Sequence, residues 1–290
     1  MAQDNGKILS REKVLLPAYH EVPTLRNYYD SSVYTAAARD NAVTIDRVFY
    51  KSDGLKVVAY LCYPTQLGNT KYPVIVFNRG SLIRNDVGIV YTPMFKKFVK
   101  AGFIVIAPAL RGSEGGEGVD QLGGNDLHDI FNVIPLLSEV SFADVSRMFM
   151  LGESRGGIMT YMTIRDRFPL QAAATIGAIT DMEMFIRDTP GIIGVIEKIY
   201  PDYMQKKQEF WQSRSVLSWP EAINVPVLIM NGQADPQVKP YHALSLAQKL
   251  ADQKKSFQLV ILEGGNHNLS LKHANERDQM VIDWFKKFLP

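Results

Sequence analysis

The hydrophobic and polar positions along the chain repeat in a way that predicts alternating strands and helices. Residues 44–50 and 55–62 are rich in β-forming side chains, and an Asp53-Gly54 turn separates them, which predicts an antiparallel hairpin. Short apolar runs then recur at mostly helix-length intervals, at residues 74–77, 103–107, 148–151, 172–176, 227–230 and 259–262. The chain is therefore predicted to form an α/β fold with a mostly parallel, twisted sheet flanked by helices.

Three segments outside this alternation complete the predicted architecture. Apolar positions in residues 280–288 follow a helical spacing, so we expect a C-terminal helix whose aromatic side chains pack on the sheet. Residues 1–43 match no regular pattern and are expected to form an N-terminal arm. Residues 181–220 interrupt the alternation with helix-like stretches and are expected to be a small helical cap insertion. Because no repeat or linker-like stretch divides the sequence, we expect one domain over residues 1–290.

Composition and charge mainly exclude classes of partner. With 32 basic and 30 acidic residues the net charge is +2, which gives no reason to expect binding to nucleic acid or to an anionic membrane. The apolar runs are far shorter than the roughly 20 residues of a membrane-spanning helix. Residues 1–7 lack the apolar core of a secretory signal, so we expect a cytoplasmic protein as the sequence is written, and a secreted or periplasmic one if a signal peptide was removed. Cys62 is the single cysteine, so neither an internal disulfide nor a cysteine-built metal site is expected.

The most informative motif is Gly-Glu-Ser-Arg-Gly at residues 152–156, because it stands between a predicted strand and a predicted helix. That context is typical of a serine nucleophile elbow, in which a sharp, strained turn lifts the hydroxyl of the central Ser154 clear of the sheet. The flanking glycines leave room for the strand and the helix to approach each other. Taken alone, the motif is equally compatible with an ordinary strand-to-helix turn.

A serine nucleophile requires a histidine base and a carboxylate that orients the base. Asp235 follows the predicted strand 227–230 and His267 follows the predicted strand 259–262, which is the chain order found in α/β-hydrolases. By itself Asp235 is more simply a turn or helix-cap residue, and His267 an ordinary loop histidine. The other four histidines lie in the arm or in helix-like segments. The joint placement predicts a triad of Ser154, His267 and Asp235.

An oxyanion hole needs two backbone N–H groups. Arg155 is expected to supply one, and the loop after the strand 74–77 the other, with Arg79 as the expected donor. Arg111 is a candidate for binding a substrate carboxylate, because a guanidinium can hold a carboxylate through two hydrogen bonds. The alternative is that Arg111 and Arg155 form structural ion pairs with Glu153 and neighbouring carboxylates.

Taken together, these motifs resemble the catalytic domain of the prolyl oligopeptidase family, within the α/β-hydrolase superfamily, over roughly residues 44–289. The matching pieces are Ser52-Asp53-Gly54, Asn78-Arg79-Gly80, Arg111-Gly112-Ser113, Gly123-Gly124-Asn125-Asp126, Gly152-Glu153-Ser154-Arg155-Gly156-Gly157, Arg214-Ser215 and the loops of Asp235 and His267. The resemblance implies that Ser154, Asp235 and His267 act through an acyl-enzyme that water hydrolyses, without a metal or cofactor. The chain departs from many relatives in its Asn-Arg-Gly loop, where they have His-Gly-Gly, and its first 40 residues are too few for the β-propeller of family peptidases.

We therefore expect a serine hydrolase, either a carboxylesterase or a prolyl oligopeptidase-like peptidase, that acts on small esters or short peptide amides. The predicted cap is expected to restrict access to the site, and the candidate substrate-binding residues are Arg111, Phe185, Tyr203 and Trp211. Two alternatives remain open from the sequence. One is a non-catalytic binding module on a hydrolase scaffold, and the other is an acyltransferase that uses the same triad with an acceptor other than water.

Overall fold

A computed structural model describes residues 4–81 and 85–289 of the chain. Within these residues nine strands form one sheet: β1 (Ile8–Lys13), β2 (Val43–Ser52), β3 (Leu55–Pro64), β4 (Tyr72–Asn78), β5 (Ile104–Pro108), β6 (Ala143–Glu153), β7 (Ala172–Ile176), β8 (Val227–Gly232) and β9 (Phe257–Leu262). Their order across the sheet is β1-β2-β3-β5-β4-β6-β7-β8-β9. The pairings β1–β2, β2–β3 and β3–β5 are antiparallel, and the other five are parallel. The predicted mostly parallel sheet is confirmed.

Helices cover both faces of this sheet. In the described residues they are α1 (Ser31–Arg39), α2 (Val87–Val90), α3 (Thr92–Lys100), α4 (Leu127–Phe131), α5 (Val133–Ser138), α6 (Arg155–Arg165), α7 (Met182–Asp188), α8 (Ile193–Ile199), α9 (Lys207–Arg214), α10 (Tyr241–Asp252) and α11 (Ala274–Lys286). Helices α1, α3 and α11 pack on one face, while α4, α5 and α6 pack on the other. Each helix in this part of the chain is too short or too polar to cross a membrane.

Alternating side chains of the strands build two apolar layers, one on each face of the sheet. In β4, Val74 and Val76 belong to the layer under α6, whereas Ile75 and Phe77 belong to the layer under α3, and all four are fully buried. Successive residues of a strand point to opposite faces. A strand covered on both faces must therefore be apolar throughout, which explains the continuous hydrophobic runs in the sequence.

The N-terminal arm and the cap insertion lie next to the strand ends that carry the site. The arm adds β1 to the edge of the sheet, passes through two 3-10 turns at Tyr19–Glu21 and Pro23–Asn27, and ends in α1. Its backbone is tied to the loop after β9, because Ser270 Oγ donates to Asn27 O at 2.8 Å and the Leu271 N–H donates to Tyr28 O at 3.2 Å. Residues 181–220, which were predicted to form the cap, contain α7, α8 and α9 between β7 and β8.

Candidate active site

The turn that carries Ser154 is formed where β6 ends and α6 begins. Ser154 has φ 55° and ψ −120°, a conformation with positive φ that costs a non-glycine residue about 1–3 kcal/mol. A Cβ at Gly156 would lie 1.9 Å from Asn78 O, and a Cβ at Gly152 would lie 2.4 Å from Gly156 O, so only glycine fits at either position. The Ser154 N–H donates to Ile176 O at 2.8 Å, which ties the turn to β7. The strained turn is thus held in place by close packing against β4, β7 and α6.

The loops after β8 and β9 bring an aspartate and a histidine to Ser154. His267 Nε2 lies 2.8 Å from Ser154 Oγ, and His267 Nδ1 lies 2.7 Å from Asp235 Oδ2. The second carboxylate oxygen of Asp235 accepts the N–H groups of Gln237 at 2.8 Å and Val238 at 2.9 Å. In this arrangement a neutral imidazole donates from Nδ1 to the carboxylate, which leaves Nε2 free to take the serine proton. The three side chains predicted from strand-end positions are thus in hydrogen-bonding contact.

Ser154 and His267 line a cavity of about 560 Å³. One part of its lining is apolar and comes largely from the cap and the segment that leads into it: Leu122, Ile179, Phe185, Ile192 and Val195. The remainder is mostly polar: Tyr28, Gly80, Ser81, Glu153, Arg155, Thr189, Gln237 and Asn268. A volume in the range of about 300–1,000 Å³, with an apolar wall and a few polar groups, is typical of a site for small ligands.

Several residues of this lining, among them Tyr28 and Asn268, were not predicted from the sequence. Asn268 Nδ2 donates to Glu153 Oε1 at 3.0 Å, and the Tyr91 hydroxyl donates to the same oxygen at 2.8 Å. The Glu153 carboxylate therefore fixes the residue that follows His267. Asn268 could have been predicted because it directly follows His267 in the sequence. Tyr28 carries no such local signal, because only the packing of the arm brings it to the site.

The guanidinium groups of Arg79 and Arg155 form ion pairs beside the turn. Arg155 Nη2 donates to Asp120 at 2.5 Å and to Asp126 at 2.7 Å. Arg79 donates to Asp120 at 3.3 Å and to Ala109 O at 2.8 Å. Burial raises the pKa of Asp120. Burial also opposes ionisation of Asp126, but the Arg155 guanidinium and backbone N–H groups outweigh it and lower the pKa of Asp126.

Arg111 is likewise engaged in ion pairs, away from the cavity. It donates to Asp129 at 2.7 Å and to Asp53 at 2.9 Å, beside the turn between β2 and β3. The contacts of Arg111 and Arg155 are therefore those of structural ion pairs, which was the alternative to substrate binding by Arg111. The carboxylates in these ion pairs belong to the four aspartates, whereas the sequence analysis expected Glu153 and neighbouring carboxylates.

The aromatic candidates for substrate binding differ in where they lie. Phe185 lines the cavity next to Ser154. Tyr203 is buried inside the cap, where its ring packs edge-on against Phe210 and its hydroxyl accepts the Trp211 Nε1–H at 3.0 Å. Among the described lining residues of the cavity, Phe185 is present and Arg111, Tyr203 and Trp211 are not.

Comparison with known sequences assigns the chain to a family. The sequence model of the prolyl oligopeptidase family matches residues 91–290, which include Ser154, Asp235 and His267. The uncharacterized peptidase YtmA of Bacillus subtilis is 28% identical over 246 residues, which cover 84% of this chain and 94% of that protein. The uncharacterized peptidase YuxL of the same organism is 26% identical over 267 residues, which cover 87% of this chain and 40% of that protein.

Solved structures share the fold. A puromycin-hydrolyzing peptidase of Mycobacterium tuberculosis is similar with a TM-score of 0.72 and 22% identity, over 87% of this chain and 40% of that one. An acylaminoacyl peptidase in complex with a chloromethyl ketone gives a TM-score of 0.73 and 20% identity, over 88% of this chain and 43% of that one. The chain thus spans less than half the length of both peptidases. Together these similarities confirm the predicted resemblance: the chain belongs to the prolyl oligopeptidase family and is a serine hydrolase of the α/β-hydrolase fold.

Proposed function

We propose that the chain hydrolyses short peptide amides or small esters through an acyl-enzyme formed on Ser154. The observation that supports this proposal is the chain of hydrogen bonds from Asp235 through His267 to Ser154, at 2.7 and 2.8 Å. Serine is nearly unreactive without a base to remove its proton, and this contact supplies the base. In the proposal Ser154 is the nucleophile, His267 the general base and acid, and Asp235 the residue that orients His267.

The reaction follows from these contacts in two halves. Ser154 Oγ attacks the substrate carbonyl carbon while its proton moves to His267 Nε2, and Asp235 stabilises the imidazolium that forms. The tetrahedral intermediate collapses as His267 returns the proton to the leaving amine or alcohol, which leaves an ester on Ser154. Water then attacks this ester with His267 again as base. A second collapse releases the carboxylic acid and restores the Ser154 hydroxyl.

The oxyanion of each intermediate is proposed to bind between two backbone segments. Arg155 is the first residue of α6, so its N–H has no acceptor within the helix. The second donor comes from the loop 79–81, for which the sequence indicated Arg79. Gly80 of that loop lies close to Ser154, since a Cβ at Gly80 would lie 3.3 Å from Ser154 Cβ. The N-terminal end of α6 adds about 0.3–1 kcal/mol of favourable interaction with the negative charge.

The proposed substrates follow from the cavity and from the named relatives. A cavity of about 560 Å³ accommodates a short substrate, and its apolar wall with Phe185 fits an apolar side chain. One structural relative is named for hydrolysis of puromycin and another as an acylaminoacyl peptidase, so short amides are the first substrates to test. In this proposal the chain is one domain in which the arm, residues 1–43, and the cap, residues 181–220, together limit access to Ser154.

A fluorophosphonate probe tests the nucleophile, because it reacts with a serine only when the hydroxyl is activated. We expect labelling of the native protein and none of Ser154→Ala. The matched control is Ser245→Ala on α10, which removes a serine that lies outside the cavity and should label like the native protein. Absence of labelling in the folded native protein would contradict the proposal and favour a binding module.

Matched ester and amide substrates with the same acyl group then test the reaction. Both share the acyl-enzyme and differ in how much the leaving group needs protonation by His267, so the ratio of the two rates separates an esterase from a peptidase. Adding an alcohol or an amine as acceptor tests for acyl transfer. Transfer products that exceed the hydrolysis product would favour the acyltransferase and contradict the proposed use of water.

A further inference from the structure

Asp120 connects the two backbone segments that border Ser154 on the proposed oxyanion side. Its Oδ1 accepts from Arg155 Nη2 at 2.5 Å, and its Oδ2 accepts from Arg79 Nη2 at 3.3 Å. Arg155 begins α6, directly after Ser154, and Arg79 begins the loop that follows β4. A single carboxylate therefore holds both segments through their side chains.

The three side chains of Arg79, Asp120 and Arg155 form a buried bridge, so their hydrogen bonds must have good geometry. The exposed fraction is 0% for the Arg79 side chain and 4% for those of Asp120 and Arg155. Charged groups taken out of water are costly unless each is paired and hydrogen-bonded, so these three side chains strongly constrain one another. Asp120 Oδ1 also accepts the Leu122 N–H at 2.9 Å, which anchors the carboxylate to its own loop.

Arg79 transmits this constraint to the peptide groups next to Ser154. Its Nη1 donates to Gly80 O at 3.2 Å and to Ser81 O at 2.6 Å. Because a peptide group is planar, fixing the Gly80 carbonyl also fixes the Ser81 N–H of the same peptide. The backbone of the loop 79–81 thus depends on how the Arg79 guanidinium is held, and Asp120 holds it together with Ala109 O and Ser113 Oγ.

We infer that Asp120 is a positioning residue that keeps the two oxyanion-donating segments at the correct separation. This inference rests on the proposed function, because it concerns donors for an intermediate formed on Ser154. An oxyanion hole is effective only when both donors are placed where the charge develops, and loss of one donor lowers kcat by about 10²–10³-fold. Asp120 does not touch the substrate and acts through Arg79 and Arg155.

A neighbouring carboxylate provides a matched control. Asp126 is also buried and also binds Arg155, but its other contacts are to the N–H groups of Gly123 and Gly124 in its own loop. Asp126→Asn therefore weakens one ion pair of Arg155 and leaves the contact between Asp120 and Arg79 in place, so the loop 79–81 is not released. Asp120→Asn keeps the size of the side chain and places an NH₂ group against one of the two guanidinium groups, so one arm of the bridge is lost.

The experiment compares steady-state kinetics and the affinity for phenylboronic acid in the native protein, Asp120→Asn and Asp126→Asn. Boronic acids form a tetrahedral adduct on a serine that mimics the intermediate, whereas KM reflects substrate binding. We expect Asp120→Asn to lower kcat about 10²-fold, to weaken boronate binding by a similar factor, and to change KM by less than about threefold. Asp126→Asn should lower kcat by less than about tenfold.

Further variants keep the result interpretable. If Asp120→Asn does not fold, Arg79→Lys tests the same bridge, since a lysine keeps the charge but cannot donate to Asp120 and to the loop carbonyls as a planar fork. Asp120→Glu keeps the carboxylate and should restore part of the lost kcat. Equal losses in the Asp120 and Asp126 variants, or unchanged boronate binding, would overturn the inference. Failure of the native protein to react with fluorophosphonate would instead overturn the proposed function.

Discussion

Acid should destabilise the folded protein through His242, a histidine outside the proposed triad. His242 lies on α10 and is 1% exposed. Its Nδ1 accepts the Thr180 N–H at 3.3 Å and lies 3.1 Å from Thr180 Oγ1, at the point where β7 leads into the cap. Burial lowers the pKa of His242 from 6.5 to about 4. Charged neighbours have smaller effects, of which Asp181, Asp188 and Asp235 raise the pKa of His242 and Arg187 lowers it.

The sign and size of the effect of pH on stability follow from the difference in the pKa of His242 between the folded and the unfolded protein. In the unfolded chain His242 binds a proton below pH 6.5, whereas in the folded protein it stays neutral down to about pH 4. Neutral His242 therefore contributes its full stability above pH 6.5, and that stability is lost as the pH falls toward 4. The gap between the two pKa values corresponds to about 3 kcal/mol over the whole window, and to about 2 kcal/mol between neutral pH and about pH 5.

Urea unfolding of the native protein and of His242→Gln, at about pH 7.5 and about pH 5, measures this contribution. A glutamine can accept the Thr180 N–H but does not titrate in this range, so we expect the variant to lose about 2 kcal/mol less than the native protein on acidification. His20→Gln, which removes an exposed histidine of the arm, is the control and should behave as the native protein does. The reasoning is refuted if native and His242→Gln proteins lose the same free energy of unfolding.

Two further predictions concern the site itself. Asp235→Asn should fold, because the amide oxygen can still accept backbone N–H groups. It should lower kcat by about 10⁴-fold, because its NH₂ group faces His267 Nδ1 and favours the wrong tautomer. Circular dichroism checks the fold and steady-state kinetics checks kcat, and a loss in kcat below about tenfold would argue against the triad. Tyr28→Ala should remove an aromatic wall of the cavity and raise KM for short amides by about tenfold while kcat changes little, since Ser154, His267 and Asp235 are left in place. A KM that stays unchanged across a series of amides would show that Tyr28 does not contribute to binding.

The positions of Ser154, Asp235 and His267 could be predicted from the sequence because each follows a short run of apolar residues that predicts a buried strand. The ends of parallel strands converge at one edge of the sheet, so residues distant along the chain become neighbours without any further information. The strand β1 could not be predicted in this way. Five of its six residues are exposed, so β1 joins the sheet through backbone hydrogen bonds and shows no alternation of buried and exposed side chains.

The cap shows why residue type alone is a poor guide to substrate contacts. Tyr203 and Trp211 were candidates because they are large and aromatic, yet an insertion of this length also needs a core of its own. The Tyr203 ring packs against Phe210, and its hydroxyl accepts from Trp211. Phe185 lies on the first helix of the cap, close to where the chain leaves β7, and it lines the cavity. Distance along the chain from the strand end would have been a better criterion than aromatic character.

The arginines show that the side chain and the backbone of one residue can have different roles. Arg79, Arg111 and Arg155 stand in or beside motifs of the family, and a cluster of cations invites the interpretation that the substrate is an anion. A guanidinium that loses its water on burial must regain charged partners from the protein, and here the partners are Asp120, in a neighbouring loop, and Asp129, on α4. Their positive charge is therefore already compensated before a substrate arrives. In the proposed reaction Arg155 and the Arg79 loop contribute through backbone N–H groups, and the side chains serve to hold those groups in place.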